Sequence, residues 1–237
     1  MRSSRTIEMC IPAYNEEAII AESVQRVRGA LEKITASPEV TVVSNASTDA
    51  TVERARGLGG VRVLSIEERG KGAAIVAAAQ ASGAGIFGFI DADLSADPAD
   101  IAILFGALEC GECDIAIGSR LMDAALVERT GLRTFSSRVF NLLRKIVLGI
   151  SAKDSQCGLK LMNVRGRELL ASCEEKGWFL DMEFLFCAER AGLRVREIPI
   201  HWNEHRFPGR ASKLKVVRDG VGALRAMVRI RWRYMAQ

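Results

Sequence analysis

Long apolar runs are missing from this chain. The longest uncharged stretch, Gly72 to Ile90, approaches the length of a membrane span, but it is mostly Ala and Gly and contains Gln80 and Ser82. It reads better as an Ala-rich helix followed by a buried strand. The C-terminal end carries no long apolar segment either. The opening MRSSRTIEMCIPAYNEE lacks an apolar h-region, so no secretory signal is expected. Also absent is a Gly-x-Gly-x-x-Gly after the first strand-like segment, which argues against a dinucleotide-dependent oxidoreductase. No internal repeat, low-complexity tract or linker interrupts the sequence. Histidine is scarce: His201 and His205 are the only two.

The six cysteines, Cys10, Cys110, Cys113, Cys157, Cys173 and Cys187, are scattered and mostly in apolar surroundings. Without a secretory signal they read as reduced thiols of a cytoplasmic protein. Cys110-Gly-Glu-Cys113 has zinc-knuckle spacing, but no second such pair follows. Zinc there would need the two distant histidines to converge on it.

What is present is ordinary globular material. The chain has 237 residues, 49% of them apolar and 26% charged, with a net charge of +4. That suits one large domain or two small ones with a substantial core. The mild excess of positive charge permits a phosphate-bearing ligand or an anionic membrane surface.

The first half alternates strand-like and helix-like segments. TIEMCIPAY, EVTVVS, VRVLSI, GIFGFIDAD and CDIAIGSR read as strands. Between them lie an amphipathic helix from Asn15 to Ile34, STDATVERARGL behind a Ser/Thr/Asp cap, GKGAAIVAAAQAS, and DPADIAILFGALECG with Pro98 near its start. This order predicts an α/β fold, a mostly parallel sheet with helices on both faces. The strands are continuous apolar runs, as burial on both faces requires. In the second half, RTFSSRVFNLLRKIVLG reads as a basic amphipathic helix, CGLKLMNV as a strand, FLDMEFLFCAERAG as a helix and VREIPIHW as a strand. A loop, NEHRFPGRAS, precedes a last helix from Lys213.

In such sheets ligands bind outside the carboxyl ends of the strands. The chemically rich segments fall there: Pro12 to Glu17, Ser44 to Asp49, Arg69 to Gly72, Asp91 to Asp97, and Gly118-Ser119-Arg120. Asp91 and Asp93 flank one residue, so at a strand end their side chains would point the same way. Two such carboxylates repel unless protonated or bridged by a cation. Oxygen ligands suit Mg²⁺ or Mn²⁺, whose shell is usually completed by water and phosphate oxygens. A solvated turn is the plainer alternative.

Several motifs occur in an order that resembles family 2 glycosyltransferases of the GT-A fold: IPAYNEE, SNASTDAT, RGKGAAI, DADLSADP, GSR, DSQCGLKLM, GWFLDMEFLFCAERAG, IPIHWNE and PGRASKLK. The likeness spans roughly residues 5–220 and is strongest to the polyprenyl-phosphate branch, the dolichyl-phosphate glucose and mannose synthases. It implies a Rossmann-like GT-A domain over 1–212 and a basic amphipathic helix over 213–237. It implies that Pro12, Tyr14 and Glu16 cradle the nucleotide, with Asn45 and Asp49 in a second nucleotide loop. In that loop Ser44-Asn45-Ala46-Ser47 replaces the family's usual Asp-Asp or Asp-Asn pair. Lys71 matches a donor-binding lysine. Asp91 and Asp93 match the metal and diphosphate motif, with Ser95 as a third ligand. Arg120 matches an arginine after the fifth strand, and Asp154 and Gln156 match an acceptor-side motif.

The implied reaction is inverting transfer of a hexose, glucose favoured, from a nucleotide-sugar, UDP-linked by preference, to a polyprenyl phosphate. The alternatives are GDP-mannose as donor, a glycan hydroxyl as acceptor, and a non-catalytic sugar-nucleotide-binding protein. A hydroxyl acceptor needs a general base, for which Asp154 is the candidate. A lipid phosphate needs cations, and Arg129, Arg133, Arg138, Arg206, Arg210 and Lys213 are available. Of these Arg138, Arg206 and Lys213, with Ser212, make the acceptor-phosphate set. The final helix places Val217, Val221, Leu224, Val228 and Trp232 at three-to-four spacing among arginines, the pattern of a membrane-surface helix. Peripheral attachment at the cytoplasmic membrane face is expected, directly or through a separate membrane subunit. Nothing calls for nucleic acid.

Overall fold

The computed structural model describes residues 3–122, 126–128, 145, 147–203, 207 and 216–235. Its centre is a seven-stranded sheet in the order β3-β2-β1-β4-β7-β5-β8. The strands are β1 (Ser3–Ala13), β2 (Thr35–Asn45), β3 (Arg62–Ile66), β4 (Ile86–Ile90), β5 (Ile115–Ser119), β7 (Leu159–Asn163) and β8 (Val195–Pro199). All neighbours are parallel except β7, which runs antiparallel to both β4 and β5. Two short strands, β6 (Leu126–Glu128) and β9 (His201–Asn203), pair in parallel beside the main sheet.

Side-chain alternation explains why the central strands carry apolar side chains on both faces. Ile7, Met9 and Ile11 of β1, Val42 of β2 and Ile86 and Ile90 of β4 enter one core. Cys10, Val43, Phe87 and Phe89 point to the opposite face and enter a second. The first core is covered by α1 (Ile20–Leu31) and α4 (Ile101–Glu109). The second is covered by α3 (Lys71–Ala81), α5 (Val164–Ala171), α6 (Leu180–Arg190) and α7 (Val216–Met235), while the short α2 (Thr51–Arg56) follows the second strand. The Ala-rich α3 has no polar face because it is buried nearly all round, as its composition allows.

Several elements differ from the sequence reading. The first helix starts at Ile20 rather than Asn15, because Asn15 takes a left-handed conformation, φ 54°. VREIPIHW is two strands rather than one, broken at Ile200 and divided between the sheets. Helix α5 follows β7 with no loop between them. Asn163 ends the strand and caps the helix, its Oδ1 accepting the Gly166 N–H at 3.1 Å. The basic segment RTFSSRVFNLLRKIVLG lies largely outside the described residues. No helix among the described residues is long and apolar enough to cross a membrane.

The reversal of β7 sets up the site. Leu159, its first residue, pairs with Ile90, the last of β4. The segment before β7, residues 151–158, is therefore delivered to the edge where β1, β2, β4 and β5 end.

Candidate active site at the carboxyl edge of the sheet

Backbone strain marks this edge. Among the described residues, three non-glycine residues have positive φ: Asn15, Ala46 and Leu94. They follow β1, β2 and β4. Such conformations are uncommon, and where they gather they often shape a functional site.

The first two loops are laced together. The Asn15 N–H donates to Ser47 Oγ at 3.1 Å, and Thr48 N–H to Asn15 Oδ1 at 2.8 Å. Glu16 N–H donates to Thr51 Oγ1 at 2.8 Å, and Glu17 N–H to Asp49 Oδ2 at 3.2 Å. The other Asp49 oxygen accepts from the Thr51 N–H and hydroxyl. Burial works to raise the Asp49 pKa, but these donors outweigh it and hold the carboxyl below its ordinary value. Pro12 and Asn45 are buried at the ends of β1 and β2, and Tyr14 is exposed. The structure thus gathers Pro12, Tyr14, Glu16, Asn45 and Asp49, with Asp49 holding the loops together.

Asp91 and Asp93 sit on a tight turn after β4 rather than on the strand itself. Leu94 N–H closes the turn on the Asp91 carbonyl at 3.0 Å, and Ser95 N–H donates to Asp93 Oδ1 at 3.0 Å. Lys71 Nζ meets Asp91 Oδ1 at 2.6 Å. The Asp91 carboxylate also lies over Gly158, where an added Cβ would stand 2.1 Å from Oδ2. Only glycine admits that approach. Burial raises the Asp91 pKa and Asp93 adds to the rise, against the lowering effect of Lys71. Burial disfavours the Lys71 charge, but Asp91 and then Asp181 more than restore it. Asp93 is exposed, whereas Ser95 is buried, its carbonyl accepting from Asn203 N–H at 2.8 Å.

Two carboxylates on one turn, one of them open to solvent, suit a hard cation that takes its remaining ligands from water and phosphate. Among the described residues no group of three His, Cys, Asp or Glu could hold a metal. Cys110 is exposed and Cys113 buried. His201 Nδ1 lies 2.8 Å from Asp100 Oδ1, and His205 lies outside the described residues.

Arg120 and Asp154 form the second cluster. Arg120 Nε donates to Asp154 Oδ2 and Nη2 to Oδ1, both at 2.7 Å, and the Arg120 backbone N–H adds a bond of 2.8 Å to Oδ2. Burial would raise the Asp154 pKa; hydrogen bonds and charge from Arg120 overcome it and hold the carboxyl below its usual range. The guanidinium packs 4.5 Å from the Trp202 ring centroid. Glu197 braces the cluster, accepting from Ser119 Oγ at 2.9 Å, Lys153 N–H at 2.7 Å and Asp154 N–H at 2.8 Å. The Trp202 Nε1, Gln156 Nε2 and Ser155 Oγ atoms are buried without hydrogen-bond partners among the described residues.

Sequence reasoning missed Lys160. It is fully buried, with Nζ 2.6 Å from Asp181 Oδ1 and 2.7 Å from the Cys157 carbonyl. The signal was a lone lysine in the apolar run LKLM. Gly158, Glu197, Trp202 and Trp178, whose ring lies 5.5 Å from Lys71 Nζ, were likewise not assigned site roles. The proposed acceptor-phosphate residues Arg138, Arg206, Ser212 and Lys213 lie outside the described residues, as do Arg129, Arg133 and Arg210.

A doubly wound sheet with a carboxylate pair after its fourth strand and a lysine and an arginine beside it defines a GT-A type of sugar-nucleotide transferase fold. Residues 9–168 match glycosyl transferase family 2, and the chain belongs to that family. It is 34% identical over 222 residues to dolichyl-phosphate beta-glucosyltransferase of Drosophila melanogaster, covering 85% of this chain and 68% of that one. It is 32% identical over 234 residues to glycosyltransferase AglD of Haloferax volcanii, covering 95% of this chain and 37% of that protein, so it spans well under half of that relative's length. The fold matches glucosyl-3-phosphoglycerate synthase from Mycobacterium tuberculosis in complex with Mn²⁺, uridine diphosphate and glucosyl-3-phosphoglycerate. The TM-score is 0.68 at 26% identity, over 95% of this chain and 78% of that one.

Proposed function

We propose that the chain transfers glucose, with inversion, from UDP-glucose to a polyprenyl phosphate of the dolichyl phosphate type. The observation that carries this reading is the state of Asp154. A hydroxyl acceptor needs a base that can take a proton near neutral pH. Asp154 is the acceptor-side carboxylate, and Arg120 engages both its oxygens and holds its carboxyl below the ordinary range. A lipid monophosphate needs no base, because its second pKa of about 6 leaves it a nucleophilic anion at neutral pH.

The names of the dolichyl-phosphate glucosyltransferase relatives support the sugar and acceptor. The Mn²⁺ and uridine diphosphate bound by the mycobacterial enzyme support the donor class and a divalent cation. In this reading Asp91 and Asp93 hold Mn²⁺ or Mg²⁺, with Ser95 beside them. When bound, the cation takes up charge on the departing nucleoside diphosphate. Lys71 adds a second positive charge on that side. Pro12, Tyr14, Glu16, Asn45 and Asp49 line the nucleotide end. Arg120, held by Asp154, faces the reacting phosphates, and Arg138, Arg206, Ser212 and Lys213 receive the acceptor phosphate.

A surface feature supports a lipid substrate. On α7, Ala226, Met227 and Ile230 are buried against the domain, while Leu224, Val228 and Trp232 are exposed in a line, Trp232 at 76%. Arg225 and Arg231 stand next to that line. An apolar stripe among arginines suits the interface of an anionic membrane, with or without a membrane subunit.

The test is release of nucleoside diphosphate from UDP-glucose and GDP-mannose, with Mn²⁺ or Mg²⁺, with and without a short polyprenyl phosphate. Lipid-dependent release of UDP that is lost in Asp93→Ala supports the reading. Release from GDP-mannose alone replaces the donor. Cleavage that requires a glycan hydroxyl and is indifferent to polyprenyl phosphate overturns the acceptor.

A further inference from the structure

The C-terminal helix is wired to the lysine of the donor side. Arg229 on α7 makes a two-pronged pair with Glu175, Nε to Oε1 and Nη2 to Oε2, both at 2.7 Å. Glu175 is buried, and its own backbone N–H donates to Glu183 Oε2 at 2.7 Å. The Glu174 N–H reaches the same oxygen at 2.9 Å. Glu183, fully buried on α6, turns its other oxygen to Arg233 Nη1 at 2.7 Å and the Tyr234 hydroxyl at 2.8 Å. The segment 174–176 is therefore held from both ends of its charge network by α7.

That segment is the seat of the Lys71 turn. The Lys176 carbonyl accepts the Ala73 N–H at 2.9 Å. A Cβ on Gly70 would stand 2.1 Å from the Lys176 carbonyl oxygen, and one on Gly72 2.5 Å from that of Glu175. The backbone of 70–73 thus lies flat against 175–177, and Gly70, at φ 131°, takes a conformation open to glycine alone. Trp178, the residue after Gly177, lies beside Lys71. A shift of 174–176 must move the turn that presents Lys71 to Asp91.

We propose that Arg229, acting through Glu175, is a positioning residue for Lys71, so that the seating of the C-terminal helix tunes donor binding. The role of Lys71 toward a donor diphosphate rests on the function proposed above; the mechanical link does not. A site held by a supporting shell loses precision when that shell is loosened. Arg229 is half exposed, so its replacement removes the pair without opening a large cavity.

The experiment compares the 237-residue protein with Arg229→Ala, Arg229→Lys, Glu175→Gln and, as a control at the opposite edge of the sheet beside Asp114, Arg165→Ala. Two quantities are read: amide hydrogen exchange across 71–74, and calorimetric affinity for UDP in the presence of Mn²⁺. The expectation is exchange at Ala73 and Ala74 about tenfold faster, and affinity about tenfold weaker, in Arg229→Ala, from loss of a charge-assisted pair. Glu175→Gln should follow it, Arg229→Lys should recover part of the loss, and Arg165→Ala should match the wild type. Wild-type exchange at 71–74 in Arg229→Ala overturns the proposal. So does faster exchange spread evenly over the sheet, which is general destabilisation. If the wild type binds no Mn²⁺–UDP, the donor reading fails, and the exchange data alone decide the link.

Discussion

Arg120, just after β5, and Asp154, in the segment that leads into the reversed strand, meet through two parallel hydrogen bonds of 2.7 Å, with the Asp154 side chain almost wholly buried. Such a pair is costly to break from one side only. Asp154→Asn should therefore lower stability by about 3 kcal/mol at neutral pH. The sign of its pH dependence is fixed. The folded-state pKa of Asp154 is depressed, so the stabilisation is present above its unfolded value of about 3.9 and is lost as pH falls through the folded value. Urea midpoints from pH 7 down to 3 should show the gap between wild type and Asp154→Asn closing on the acid side. Arg120→Lys, which keeps charge but not the fork, should lose activity more than it loses stability.

Gly158→Ala isolates the seat of Asp91. The added methyl collides with the Asp91 carboxylate, with contacts of 2.1 and 2.6 Å. Displacing the carboxylate from Lys71 should cut turnover at least about tenfold, while overpacking costs about 1–3 kcal/mol. Turnover with UDP-glucose and the thermal midpoint separate the two effects. Wild-type turnover in the variant would show that the Asp91 position is not limiting.

His201 fastens the second sheet to the start of α4. Its backbone N–H donates to Asp100 Oδ2 at 2.7 Å and its ring lies 2.8 Å from Oδ1. A hydrogen bond to Asp100, then its charge, raises the His201 pKa. The added stability is complete below the unfolded value of about 6.5 and disappears as pH rises through the folded value. Wild type and His201→Gln should differ in denaturant midpoint at pH 5.5 and converge at pH 8.5.

Trp232→Glu addresses the exposed face of α7. It places a charge in the apolar stripe without touching the buried Ala226, Met227 and Ile230. Cosedimentation with anionic vesicles should drop about tenfold or more, with an unchanged thermal midpoint. Equal sedimentation of the two proteins would remove the stripe from membrane attachment.

The α/β class was legible because two-faced burial leaves a plain mark: Met9, Cys10 and Ile11 of β1, Val42 and Val43 of β2 and all of β4 are apolar at successive positions. The clustering of Asp91, Lys71 and Arg120 followed from the strand order, since loops after parallel strands share one edge. The direction of β7 was not legible, because an apolar strand such as LKLMN reads the same either way. With its direction went the reason for Gly158, which serves a carboxylate nearly 70 positions earlier. Lys160 and Glu197 were hidden for a related cause: Lys160 is a charge inside an apolar strand, Glu197 is one of two charges in β8, and the partners of both arrive from elsewhere in the chain. Helix α5 was missed because Asn163 is at once strand end and helix cap.

The reversed strand also bears on biosynthesis. In the finished sheet β4 lies between β1 and β7, and every one of its residues, IFGFI, is buried. Strands β1 to β4 leave the ribosome first, with β4 as an uncharged open edge. Its partner Leu159 follows Ile90 by 69 positions, which translation covers in roughly 3–14 s. For that interval the chain exposes the kind of flat apolar edge that recruits other strands. Slow or crowded expression should therefore favour aggregation at β4, and holdase chaperones acting on the first half of the chain should relieve it.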